Sequence, residues 1–153
     1  MPHALISLIV AALSFFSIIA APAFAVGTSD GTTAAASEAS YAEAKATVDA
    51  GNYTAALPML VMLTKDAPQD ANAWNLLGFT HRKLGEMDDA AKAYTVALKI
   101  NPEHLGTLEY QGEMYIQTGK LDMAKANLAK LKTICGNCEE YGDLAKALTA
   151  AGA

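Results

Sequence analysis

Charge is missing from the start of this chain, and catalytic apparatus is missing from all of it. No Lys, Arg, Asp or Glu precedes Asp30, so the first segment carries none of the formal net charge of −5. Aromatic residues make up only 7% of the sequence, too few for a sheet, which draws on aromatic and β-branched side chains. The charges that follow Asp30 form short mixed runs with no clustered basic face, which excludes the footprint of a nucleic-acid binder. There is no glycine-rich phosphate loop, no H-E-x-x-H and no G-x-S-x-G. The carboxylate pairs Asp88-Asp89 and Glu139-Glu140 fall at predicted helix starts, where complementing the dipole explains them. No enzyme and no cofactor is expected. What remains is a 153-residue chain rich in alanine and 52% hydrophobic, suited to closely packed helices.

The first segment is read as an address. Residues 4–21 are almost unbrokenly apolar and lead into Pro22-Ala23-Phe24-Ala25. Small residues at Ala23 and Ala25 fit the A-x-A pattern of a signal-peptide cleavage site, placing cleavage after Ala25. The start, Met1-Pro2-His3, departs from the usual pattern in having no Lys or Arg. The alternative is an uncleaved anchor, since the run is long enough to span a bilayer. No cysteine near the junction suggests lipidation, and no Arg pair suggests a twin-arginine route. Residues 26–36, rich in Gly, Ser, Thr and Ala, read as a flexible lead-in.

Self-comparison reveals a period. Gly51, Gly85 and Gly119 stand 34 residues apart, and so do Ala56, Ala90 and Ala124. Thr54, Asp88 and Asp122 keep the interval, as do Pro68, Pro102 and Gly136, and the apolar column Tyr53, Met87 and Leu121. The glycines suit a left-handed turn after a first helix. Thr54, Asp88 and Asp122 are expected to cap a second helix, inside which the alanines let the first approach. Pro68 and Pro102 close that second helix, and Asp70 caps the next first helix. Ser40 and Glu43 suggest a capping box. Pro58 is expected in the first turn of its helix, where it is tolerated. After the third copy, Tyr141, Leu144, Ala145 and Leu148 recur at helical spacing and predict a final amphipathic cap.

Trp74, Leu77, Gly78, Ala90, Tyr94, Ala97 and Pro102 together resemble the signature of the tetratricopeptide repeat. His81 replaces its usual Tyr, and Tyr94 its usual Phe. Gly112, Tyr115, Gly119, Ala124 and Leu128 carry the pattern in the third copy. The first copy departs from it with Ala44 and Thr47. The resemblance spans about residues 37–138. It implies an all-α solenoid of three helix pairs, at 37–70, 71–104 and 105–138, with a capping helix over 139–153. A signal peptide over 1–25 precedes it.

In that family the first helices of each pair line a concave groove that binds peptides. The resemblance carries the groove onto Tyr41, Lys45, Asn72, Asn75, Phe79, Arg82, Lys83, Glu109 and Glu113. Glu38, Val48, Asp49, Gly106, Ile116 and Gln117 occupy the remaining groove positions. Asparagines suit a peptide backbone, Arg82 and Lys83 a carboxylate, and Glu109 and Glu113 would repel one. The carboxylate clamp of co-chaperone repeats is not reproduced. Tyr41, Lys45 and Leu76 stand where it requires Lys, Asn and Asn.

Cys135 and Cys138 flank Gly136-Asn137, which can form a tight turn. In an exported chain they are expected as a disulfide fixing the corner before the last helix. A redox pair and a metal site drawing on His81 or His104 remain as competing readings. Glu139 in place of His excludes c-type haem attachment. Met59 and Met62, one helical turn apart, are assigned to packing over copper binding.

The function expected is an interaction module of the bacterial envelope, periplasmic or secreted, with another envelope protein as partner. It would keep no stable membrane insertion after cleavage. The alternative is a thiol-active factor using Cys135 and Cys138. A short array with an irregular first repeat also leaves apolar surface through which it could self-associate.

Overall fold

A computed structural model describes residues 30–153, with side chains from residue 37 onward. Seven helices follow one another: α1 (Asp30–Asp49), α2 (Tyr53–Asp66), α3 (Ala71–Leu84), α4 (Met87–Ile100), α5 (Leu105–Gln117), α6 (Leu121–Cys135) and α7 (Glu139–Ala150). No strand occurs among the described residues. Each helix packs on the next, and the first helices α1, α3, α5 and α7 also touch in succession, forming one face of a solenoid. None of the described helices is long and apolar enough to cross a membrane. The expected leader and its cleavage site lie outside the described residues.

The 34-residue columns have the expected structural roles at two places. Gly51, Gly85 and Gly119 all adopt positive φ, at 77°, 83° and 73°, as the turn after each first helix demands. Ala56, Ala90 and Ala124 are completely buried, because any longer side chain would push the paired helices apart.

The capping expectations need correction. Asp70 does cap α3, accepting hydrogen bonds from the backbone N–H groups of Asn72 (2.9 Å) and Ala73 (3.3 Å). Thr54, Asp88 and Asp122 do not cap. They sit inside the first turn, after Asn52, Glu86 and Lys120, none of which makes a side-chain cap bond. Asp88 and Asp122 act there on the helix dipole instead. Ser40 and Glu43 form no capping box, because α1 already begins at Asp30. Alanine-rich sequence extends that helix backward through part of the stretch expected as a lead-in. Pro58 is the sixth residue of α2, beyond its first turn, and deprives Thr54 of a helical donor.

The core divides in two. An N-terminal cluster joins α1, α2 and α3 through Ala44, Val48, Leu60, Leu63, Leu76 and Leu77. A C-terminal cluster joins α5, α6 and α7 through Leu108, Leu131, Leu144 and Leu148. Tyr94 and Met114 lie between them. Each fully buried leucine contributes about 1.5–3 kcal/mol. Gly78 makes room for Tyr94, whose ring lies 2.6 Å from where a Gly78 Cβ would stand. Thirty-four residues on, Gly112 does the same for Leu144 of α7, again at 2.6 Å. The glycine of the repeat pattern thus seats the final helix on α5.

Candidate functional site

The face formed by the first helices is built by the period itself. Tyr41, Asn75 and Glu109 occupy one register position and Lys45, Phe79 and Glu113 another. The structure places all nine expected groove residues on these helices but leaves few of them unengaged.

At the α1 end, Tyr41 is half-buried against the N-terminal core, and Lys45 is paired with Asp49 at 2.6 Å. Val48, expected at the groove, is a core residue. The asparagines tie α3 to α5. Asn72 Oδ1 lies 3.0 Å from His104 Nε2, and Asn75 Oδ1 accepts from the Thr107 hydroxyl at 3.1 Å. His104 Nδ1 accepts from the Thr107 backbone N–H, so the ring proton belongs on Nε2, where it donates to Asn72. Burial holds the His104 pKa below 6.5 and keeps the ring neutral for this role. Both oxygens expected to meet a peptide backbone are therefore used inside the protein.

Arg82 requires the clearest correction. Its side chain is almost wholly buried and bonds Glu113 at 2.6 Å. A buried guanidinium needs a counter-charge, and the next repeat supplies it. Arg82 is unavailable to a partner's carboxylate. It is stacked over Phe79 and Tyr110, at 5.3 and 5.8 Å from the ring centres. Its Nε and the Tyr94 hydroxyl are both buried without a well-formed hydrogen bond, although Arg82 lies close enough to the phenol to act on it. Burial pushes the Tyr94 phenol far up, with the Arg82 charge acting against it.

Around Phe79 lies an aromatic floor. Tyr110 is 4.9 Å away, Tyr53 meets the ring edge-on at 6.2 Å, and the exposed Lys83 lies over it at 5.2 Å. Tyr53 and Tyr110 were not among the expected groove residues. Beyond this floor the face turns acidic. Glu109 is only 9% exposed and has no hydrogen bond or ion pair. Burial raises its pKa to about 7, helped by Glu113, Asp143 and Glu140 and opposed by Arg82. Glu140 and Asp143 belong to α7. They stand 34 residues after Gly106 and Glu109, so extending the period by half a repeat would have found them.

Among the described residues no group of three His, Cys, Asp or Glu converges to hold a metal ion. The Cys135 and Cys138 sulfurs stand 2.03 Å apart, with Cα atoms 5.6 Å apart, across the α6–α7 corner. Two clefts lie away from the groove. One of about 440 Å³ is lined by Ser37, Met59, Met62 and Asp66, and another of about 550 Å³ by Pro102, Ala126, Lys130 and Ile134.

Residues 41–104 match the family model of the tetratricopeptide repeat. No curated protein matches the chain in sequence. Among solved structures, the first tetratricopeptide repeat domain of Spaghetti (RPAP3), bound to an HSP90 peptide, is similar with a TM-score of 0.67 and 15% identity. The match covers 76% of this chain and 94% of that one. The Yersinia enterocolitica type III secretion chaperone SycD, in complex with a peptide of the translocator YopD, has a TM-score of 0.65 and 20% identity. Here 74% of this chain and 87% of that chain are covered. The Sgt2 domain from Aspergillus fumigatus has a TM-score of 0.67 at 15% identity, with 76% of each chain covered.

Proposed function

We propose that this chain, a member of the tetratricopeptide-repeat family, is an interaction module that seats a segment of another protein along the face of α1, α3, α5 and α7. The observation that carries this reading is the aromatic floor of Tyr53, Phe79 and Tyr110, roofed by the exposed Lys83. Half-buried aromatic rings with polar tips provide contact area at low entropic cost. Two structures of this fold hold peptides of other proteins, which supports the same use here.

A photo-crosslinking residue at Tyr41 or Lys83 tests the reading against one at Lys99 or Lys130, on second helices. Capture of the same partner from the first-helix positions alone supports it. Capture from the second helices alone, or none from any position, would overturn it.

The apolar leader and its Ala23-Phe24-Ala25 site support work in the bacterial envelope after export. The exported chain should then begin at Val26 by intact mass. A full-length chain confined to membranes would favour the anchored form. The Cys135–Cys138 bridge is read as a staple that holds the α6–α7 corner. The thiol-active alternative has one observation in its favour. Cys138 stands at the N-cap of α7, where the helix dipole lowers a thiol pKa. Titration against glutathione separates them: a staple stays oxidised, whereas an active pair exchanges.

A further inference from the structure

At the α3–α5 junction three polar side chains are paired from one first helix to the next, whereas at the α5–α7 junction Glu109 is not. Asn72, Asn75 and Arg82 each find a partner on the following first helix or the loop before it. At the matching positions of the next junction stand Gly106, Glu109 and Ile116, and the one charged group among them, Glu109, lies in the field of Glu140 and Asp143, all of one sign. The nearby cations are already engaged, Arg82 by Glu113 and Lys146 by Asp143 at 2.7 Å. The Glu109 side chain is left nine-tenths buried and without a hydrogen bond or ion pair, its carboxylate oxygens alone keeping some access to solvent, at the end of an aromatic floor. A carboxylate so poorly hydrated gains when a charged donor arrives with a ligand.

We propose that this end of the face is a seat for one cationic side chain, arginine or lysine, of the bound segment, held by Glu109 in the field of Asp143 and Glu140. The proposal rests on the interaction-module reading and gives its partner a chemistry. A guanidinium or ammonium on a flexible stem fits better than a metal ion, because no three of these carboxylates converge on one point. The chain's own residues 1–29 cannot supply the group, since they contain no Lys or Arg. Apolar atoms flanking the cation would cover Phe79 and Tyr110. The charged and titratable groups that act on Glu109 are Arg82 of α3, Tyr110 and Glu113 of α5, and Glu140 and Asp143 of α7. With Glu109 titrating at about 7, cation binding should strengthen as pH rises through that value and should release a proton.

Random peptides displayed on phage, selected on the chain as isolated, decide the matter. Selected peptides should share an Arg or Lys whose replacement by citrulline or Gln weakens binding about ten-fold. Glu109→Gln should cause a similar loss, Asn75→Ala should not, and affinity should fall on going from about pH 8 to about pH 6. Gln keeps the shape of Glu109, and a thermal melt reports whether the variant folds. Should it not fold, Asp143→Asn reads the same seat. Peptides that compete for the face yet share no cation would overturn the proposal and leave the interaction-module reading intact. Selection of no peptide would overturn both. Self-association abolished by Glu109→Gln would assign the seat to a second copy and overturn the separate partner.

Discussion

The two junctions between successive first helices share a register and differ in how they are held. Between α3 and α5 the contact is stitched by polar pairs: Asn72 to His104, Asn75 to Thr107, Arg82 to Glu113. Between α5 and α7 the equivalents of Asn72, Asn75 and Arg82 are Gly106, Glu109 and Ile116, which make none of these pairs; Glu109 lies instead in the field of Glu140 and Asp143, and an apolar knob holds the joint, Leu144 seated over Gly112. A repeat of fixed period determines which positions meet. Whether they attract is left to the residues placed there. The difference teaches that the same scaffold can spend a position on its own cohesion or hold it in reserve for a ligand, at a cost in stability.

That comparison can be broken most severely at Leu144. Leu144→Ala removes the knob from a fully buried site and should cost about 2–5 kcal/mol in urea unfolding, with α7 losing protection against hydrogen exchange. An unchanged midpoint would mean that α7 is held by other means. Arg82→Ala attacks the polar junction. It leaves Glu113 without its partner and should cost about 3 kcal/mol, near the low end for a buried pair because Glu113 keeps some access to water. Gly112→Ala sharpens the contrast, since its new Cβ must displace a flexible leucine tip. Gly78→Ala must move the ring of Tyr94 and should cost more, the two spanning about 1–3 kcal/mol. Asn75→Ala, by contrast, should cost only about 1 kcal/mol, because the Thr107 hydroxyl retains the His104 ring as a neighbour.

The pH dependence of stability separates the junctions by sign. Glu109 has a folded-state pKa raised from 4.5 to about 7, so the folded state holds its proton more tightly than the unfolded chain. Its contribution is fully present below 4.5 and is lost as pH rises toward 7. His104, lowered from 6.5 by burial, acts oppositely: protonating it as pH falls below that value destabilises the fold. Subtracting the Glu109→Gln curve from the native one should isolate a fall in stability over the interval from 4.5 to about 7. A flat difference would show that Glu109 is solvated after all. Lys45→Ala should have the smallest effect, under about 0.5 kcal/mol, because its partner Asp49 is exposed.

Most of the architecture was legible because it depends on spacing. Seven helices, the glycine turns and the buried alanine column follow from a 34-residue interval and from residues with few conformational alternatives. The helix caps were misread by two residues, since Thr and Asp stabilise a first turn as readily as they cap it. The groove was harder. Resemblance to the family gave positions that face it, yet the fate of Asn72, Asn75, Arg82 and Glu109 depended on neighbours more than thirty residues away.

What the sequence determined by itself is therefore the repeat and the face that the first helices share. These arise from local backbone preferences and from a periodic apolar pattern, both properties of nearby residues. Only the tertiary structure decided that Arg82 is consumed by Glu113, that Asn72 and Asn75 bind the next repeat, and that Glu109 is left alone beside two carboxylates of α7. Ion pairing and desolvation depend on distance and burial in space. Two charges thirty residues apart in the chain have no energy between them until the fold brings them to within a few ångströms and removes the water.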